Sequence, residues 1–244
     1  MSQATFLRAV SDRVRRIGRT TSNFAHPSSD GGLGRPSIVH RADHGGEKDS
    51  IEAWADVARR CGTDQVAYMP YFWEHFHRLQ NSEFTLLEIG VYNGQSLAVW
   101  KEIYSKAKIY ALDINPDCAQ YADPPRVKIT IGSQADPQVL NHWLSQITDP
   151  IDVIIDDGSH VMEHLRASFT HLFPRLRPGG VYVLEDLGTC YLPEYGGALR
   201  DPGTMIEMLK SFVDDINTHW SGTGNRFQIE HIHFYGNICF VYKR

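Results

Sequence analysis

Apolar residues recur along this chain in two rhythms, and the change from one to the other marks out its elements. Ile51, Trp54, Val57 and Ala58 fall at helical spacing before Gly62, and a second apolar-rich segment covers residues 71–79. Short apolar runs then follow near residues 84–89, 108–113, 126–131, 151–156 and 180–185, separated by helical or irregular stretches. Such alternation predicts a mostly parallel sheet with crossover helices. One helix begins near Gln95, a second carries Val161, Leu165, Phe169 and Leu172, and a third spaces Ile206, Leu209, Phe212, Val213, Ile216 and Trp220 at helical intervals. The chain closes with residues 227–234 and 238–242 around Tyr235-Gly236-Asn237, the pattern of a hairpin.

The polar residues of interest stand where these runs end. Ile155-Asp156-Asp157-Gly158-Ser159-His160 closes the fourth run, and Leu184-Glu185-Asp186-Leu187 closes the fifth. Open α/β sheets gather their ligands at such strand ends. The first run ends in Glu88-Ile-Gly90-Val-Tyr92-Asn-Gly94-Gln-Ser96, whose glycines permit a tight turn and close approach of a ligand. The second ends at Asp113, at about the separation from Gly90 at which a carboxylate meets a ribose diol. Together these features indicate an adenosine-containing cofactor. Tyr92 stands where a dinucleotide fingerprint has its second glycine, so a nicotinamide dinucleotide fits poorly. S-adenosyl-L-methionine, with a sulfonium and an amino acid but no phosphate, needs no such close backbone approach, and Glu88 is placed for its ammonium or ribose edge.

On these motifs the chain resembles the class I S-adenosylmethionine-dependent methyltransferases, and among them the metal-dependent sugar O-methyltransferases of macrolide biosynthesis, the macrocin and mycinamicin group. The matching segments are Glu88 to Leu97, Asp156-Asp-Gly-Ser-His160, Leu176-Arg-Pro-Gly-Gly180 and the stretch from Glu185 through Tyr195 to Gly197. The paired acidic motifs and the Tyr-Gly-Gly loop are the restrictive ones. The likeness runs from about Gly62, where Gly62-Thr-Asp64 looks like the group's opening segment; Gln65 and Met69 stand where that group usually has a Lys and a His. The resemblance implies a Rossmann-like α/β fold, a mostly parallel seven-stranded sheet with an antiparallel last strand. It also implies metal ligation by Asp157, Glu185 and Asp186, a general base at His160, and substrate contact at Asp64. A homo-oligomer is expected on the same ground.

The residues support that chemistry independently. Three carboxylates offer only hard oxygen ligands, which select Mg²⁺, with Mn²⁺ as a substitute, over zinc. A cation there lowers the pKa of a hydroxyl it holds, and His160, three residues past Asp157, is of the right type to remove the proton. Asp156 points to the opposite strand face from Asp157 and either touches the cofactor or orients the loop. Ser133 and Gln134, after the third strand, stand where this fold reads adenine. Tyr191 and Tyr195 offer aromatic faces to a sugar. A plainer reading has Asp157 or Ser159 as a helix cap, Asp113 as a turn with Asn115, and His164, His231 and His233 as ordinary helix or hairpin residues.

Composition narrows the remaining classes. A chain of 244 residues with 42% apolar content supports one sizeable core. No apolar run reaches the roughly 20 residues of a membrane span, and Cys61, Cys118, Cys190 and Cys239 form no paired motif, so a cytoplasmic protein with no membrane partner is expected. Residues 1–41 hold seven Arg and two Asp, which leaves the rest of the chain strongly acidic; nucleic-acid binding is disfavoured accordingly. Residues 1–48 read as a basic leader, either an oligomer-contacting or lid-forming arm or an organelle-targeting segment, and 49–244 as the methyltransferase domain. The expected reaction is O-methylation of a sugar hydroxyl on a glycosylated natural product. A catechol-like O-methyltransferase and a non-catalytic partner protein of the same fold are the alternatives.

Overall fold

The apolar runs assemble into a single seven-stranded sheet in the computed structural model, which describes residues 49–244. The basic leader proposed for 1–48 lies outside the described residues. The strands are β1 (Thr85–Ile89), β2 (Lys108–Asp113), β3 (Val127–Ile131), β4 (Ile151–Asp156), β5 (Leu176–Leu184), β6 (Ile229–Phe234) and β7 (Cys239–Lys243). Their spatial order is β3-β2-β1-β4-β5-β7-β6. The first five strands pair in parallel, and β7 enters antiparallel between β5 and β6.

Strand alternation divides the core into two layers. Side chains at Leu86, Ile109, Ala111, Val153, Ile155, Val181 and Val183 face one side, against Trp54 of helix α1 (Ile51–Cys61), Phe72 of α2 (Met69–Phe76) and Trp100 of α3 (Gln95–Ile103). Leu87, Ile89, Leu112, Ile154, Tyr182 and Leu184 face the other, against Trp143 of α4 (Pro137–Ser145), Phe169 of α5 (Met162–Leu172) and Phe212 of α6 (Met205–Ile216). Full burial of each large side chain contributes roughly 1.5–3 kcal/mol before ordering entropy.

Three local differences from the sequence pattern have physical causes. Strand β5 begins at Leu176 rather than near 180, because Arg177-Pro178-Gly179-Gly180 continues the strand across an irregularity between Ile151 and Val153 on its neighbour. The segment 71–79 splits into α2 and a 3₁₀ turn, His77–Leu79. The third helix ends at Ile216; Trp220 belongs to a separate short turn and is exposed, as is Val213. Among the described residues no helix is long and apolar enough to cross a membrane.

Chain order reverses between β1 and β4: β2 and β3 lie outward on one side, and β5 on the other. That switch point opens a crevice beyond the C-terminal strand ends. Gly90 sits in it with φ 95°, and a Cβ there would lie 2.0 Å from the Asp157 carbonyl oxygen. The glycine that sequence reasoning gave to ligand approach thus lets two strand-end loops touch. Gly90→Ala is expected to lose about 2 kcal/mol, from left-handed strain and overpacking combined, read by urea unfolding.

Candidate active site

Register brings the acidic residues together. Ile89 pairs with Asp156 and Asp156 with Leu184, and the ladder runs one step further, since Asp157 N donates to Ile89 O at 3.0 Å and Glu185 N to Asp156 O at 3.1 Å. Alternation then sorts the carboxylates by face. Glu88, Asp157 and Glu185 emerge on the side covered by α1–α3, whereas Asp156 points to the opposite side.

On the first side the carboxylates crowd one another. Glu185 is 1% exposed; burial, followed by the negative charges of Asp157, Asp186, Glu88 and Asp64, pushes its carboxyl well above the usual range. Glu88 accepts from Trp100 Nε1 at 3.1 Å. Asp186 sits at φ 54°, accepting at Oδ1 from Tyr68 Oη at 2.7 Å and Asn237 Nδ2 at 3.0 Å. Burial and the same carboxylates drive the Tyr68 hydroxyl far upward, so it remains a donor. Gln65 Nε2 donates to Asp157 Oδ2 at 3.3 Å and to Glu185 Oε1 and Oε2 at 3.1 and 3.2 Å.

His160 is buried, with φ 57°. Its Nε2 lies 3.6 Å from Asp157 Oδ1 and 4.0 Å from Asp186 Oδ2. One ligand atom from each of Asp157, His160 and Asp186 falls within 4.8 Å of the others. Two carboxylates and one imidazole, with further negative charge concentrated beside them, could hold a divalent cation. Glu185 borders this cluster with both oxygens engaged by Gln65.

Beside the carboxylates a narrow polar cleft is lined by Asp64, Gln65, Tyr92, Asn93, Ser96 and Asp157, among others. Asp64 is exposed at its rim. Gly94 caps α3 at φ 69°, and Tyr92 adopts φ 50°. Asp113 is half-buried and does double duty: Oδ2 accepts from Val91 N at 2.7 Å and Tyr92 N at 3.0 Å, and Oδ1 from Asn115 N at 2.8 Å. It braces the glycine loop and also makes the Asn115 turn. Ser133 Oγ accepts from Ala135 N at 3.2 Å at the end of β3.

Three expected site residues point elsewhere. Asp156 is fully buried and accepts from Gln134 Nε2 at 3.0 Å, Ser168 Oγ at 2.6 Å and Tyr182 Oη at 2.7 Å. Gln134 completes this inward network by accepting from Ser159 N at 2.8 Å. Both side chains therefore brace the loop from below, because an even strand position faces the α5 layer. Tyr195, expected at the sugar, is 1% exposed within the core near Cys190 and Met205; only Tyr191 of that pair is surface-accessible, at 43%. Of the two capping candidates, Ser159 meets the start of α5, where its Oγ accepts from Val161 N at 3.4 Å, although the N-cap residue itself is Val161 and makes no side-chain cap. Tyr68 and Asn237 join the site without any motif of their own, and Gln65 joins it from the position after Gly62-Thr-Asp64 where the resembled group has a Lys.

Residues 87–187 match the family described as a methyltransferase domain. The chain carries a methyltransferase domain. The chain is 38% identical to demethylmacrocin O-methyltransferase of Streptomyces fradiae over 72% of its length and 48% of the relative's. It is 37% identical to mycinamicin VI 2''-O-methyltransferase of Micromonospora griseorubida, again over 72% and 48%. To the 8-demethyl-8-alpha-L-rhamnosyl tetracenomycin-C 2'-O-methyltransferase of Streptomyces olivaceus it is 36% identical over 80% of this chain and 55% of that one. The chain thus spans about half the length of these curated relatives. Among solved structures, MycE methyltransferase from the mycinamycin pathway, in complex with Mg and SAH, superposes with a TM-score of 0.72 at 33% identity, over 78% of this chain and 54% of that one. A second MycE structure, which also contains mycinamycin VI, gives 0.72 at 34% identity, covering 78% and 53%. The methyltransferase domain has the class I fold that the sequence resemblance implied.

Proposed function

We propose that this protein transfers a methyl group from S-adenosyl-L-methionine to a sugar hydroxyl of a glycosylated natural product, in a reaction that requires Mg²⁺. The observation that carries the proposal is the convergence of Asp157, His160 and Asp186 within 4.8 Å, beside the buried Glu185 and the glycine-loop cleft. Relatives named as O-methyltransferases, one of them acting on a rhamnosyl tetracenomycin, and a structural neighbour solved with Mg and SAH support the same reading.

In this reading the cleft beside the loop at residues 91–96 holds the cofactor, with Asp113 at the ribose and Glu88 beneath the loop. Asp157 and Asp186, with Glu185 behind them, hold the divalent cation. When bound, the cation supplies acidification of the hydroxyl it contacts. His160 Nε2 takes the hydroxyl proton. The oxygen lone pair then forms the new O–C bond while the C–S bond breaks, its electron pair returning to sulfur. Burial of His160 and Glu185 keeps bulk water from competing as an acceptor. Tyr191, exposed next to the acidic cluster's loop, offers its face to the sugar.

The test is a Mn²⁺ titration followed by electron paramagnetic resonance, with the protein saturated in S-adenosylhomocysteine. One tight site in the wild type that weakens about tenfold or more in Asp157→Asn is expected. No tight site in the wild type would set metal-assisted methylation aside.

A further inference from the structure

The turn that joins β6 to β7 reaches the acidic cluster through one side chain. Asn237 sits at φ 71°, a left-handed conformation that asparagine tolerates better than most residues. Its backbone oxygen accepts from Leu187 N at 3.0 Å, and its Oδ1 accepts from Gly188 N at 2.5 Å. Gly188 makes that approach possible, because a Cβ there would stand 2.9 Å from Asn237 Oδ1. A backbone N–H can only donate, so Oδ1 is fixed toward Gly188 and Nδ2 is turned toward Asp186. The amide protons then have one consistent assignment. One goes to Asp186 Oδ1 at 3.0 Å and the other to Tyr68 Oη, whose own proton goes to Asp186 Oδ1 at 2.7 Å. Asp186 Oδ1 thus receives two donors, one for each lone pair, while Oδ2 lies 4.0 Å from His160 Nε2. None of these bonds involves Glu185, so the arrangement is the same whatever charge that carboxyl carries.

We propose that Asn237 and Tyr68 are positioning residues for Asp186: they hold its carboxylate by Oδ1 and so present Oδ2 to the cluster shared with Asp157 and His160. Asp186 lies at φ 54° just past the end of β5, and its neighbours Leu187 and Gly188 are both tied to Asn237. Backbone and carboxylate are therefore set by the same residue. A carboxylate already oriented loses little rotational freedom when it takes a cation, and outer hydrogen bonds of this kind typically carry roughly 10- to 100-fold in metal affinity. This role rests on the metal reading of the site given above. It gives the C-terminal hairpin a part in holding the metal from 51 positions away in sequence.

Asn237→Gly tolerates φ 71° and removes the side chain; Tyr68→Phe removes the hydroxyl alone. Both are compared with wild type, each saturated with S-adenosylhomocysteine, by Mn²⁺ titration followed by electron paramagnetic resonance and by thermal unfolding in EDTA. Mn²⁺ affinity is expected to fall roughly tenfold or more in each variant, with the fold retained in EDTA by circular dichroism. A role confined to the fold would lower the melting temperature in EDTA and leave the Mn²⁺ affinity of the folded protein unmoved, and that result overturns the proposal. If Asn237→Gly does not fold, Tyr68→Phe carries the test, and wild-type Mn²⁺ affinity in that variant overturns the proposal. A wild type with no tight Mn²⁺ site overturns the metal reading and this role together. A tight wild-type site that weakens in Asp157→Asn but stays unchanged in either Asn237→Gly or Tyr68→Phe overturns the role alone.

Discussion

His160→Ala is expected to fold, bind S-adenosylmethionine and lose turnover by about 10²-fold or more, the usual contribution of a positioned general base. The geometry places His160 for this work. Its imidazole is buried more deeply than either neighbouring carboxylate, and Nε2 stands 3.6 Å from Asp157 Oδ1 and 4.0 Å from Asp186 Oδ2. A hydroxyl held between those carboxylates would present its proton to that nitrogen. The backbone at φ 57° is a conformation that side-chain-bearing residues rarely adopt, and it is maintained here where the chain turns from β4 into α5. Alanine keeps that conformation at a cost of about 1 kcal/mol, so loss of activity is separable from loss of fold by circular dichroism. His160 also qualifies by distance as a metal ligand, and the same variant distinguishes the roles. Lost turnover with Mn²⁺ affinity retained is the outcome for a base, whereas loss of both assigns His160 to the metal. Turnover equal to wild type would remove His160 from the chemistry.

Much of this arrangement was legible because strand geometry is local. Apolar runs ending in Glu88, Asp113, Asp156-Asp157 and Glu185-Asp186 place those residues at one end of a parallel sheet before any contact is known. The period of two also separates Asp156 from Asp157. What the sequence could not resolve depends on distant partners. Gln65 meets Glu185 across 120 positions, and Asn237 meets Asp186 across 51; neither residue type in its own segment announces that use. Tyr195 was misplaced for a related reason. An aromatic in a glycine-rich loop reads as a surface residue, but the 3₁₀ turn Pro193–Tyr195 folds it into the core layer that also holds Cys190 and Met205. Gln134 follows β3 at the position expected for adenine recognition, yet its amide fits between Asp156, Ser168 and the Ser159 backbone. A polar side chain near a cofactor loop satisfies whichever partner is nearest, and here the nearest were inside.

Asp156→Ala is expected to lower stability by about 3 kcal/mol, or about 6–12 °C in melting temperature for a domain of this size, whereas Asp156→Asn should lose about 1 kcal/mol. The difference follows from the donors the carboxylate receives. Gln134 donates to Oδ1, and Ser168 and Tyr182 both donate to Oδ2, all within the buried layer under α5. Alanine leaves the Tyr182 hydroxyl without an acceptor, reduces Gln134 Nε2 to Ser168 Oγ alone, and empties a buried space, while Ser168 keeps Leu165 O. Asparagine can keep its oxygen toward Gln134 and turn its amide protons toward the two hydroxyls. Ser168 then donates to Leu165 O, already 3.1 Å from its Oγ, and only the Tyr182 hydroxyl proton lacks a partner. Because Gln134 also holds Ser159 N, the damage in Asp156→Ala extends along the loop to Asp157 and His160, so turnover should fall with stability even though the Asp156 side chain faces away from the acidic cluster. Equal stability in the two variants, by urea unfolding, would show that the network braces nothing. A residue that contacts the cofactor directly would behave differently: Asp156→Asn would then weaken S-adenosylhomocysteine binding while leaving the melting temperature near that of the wild type.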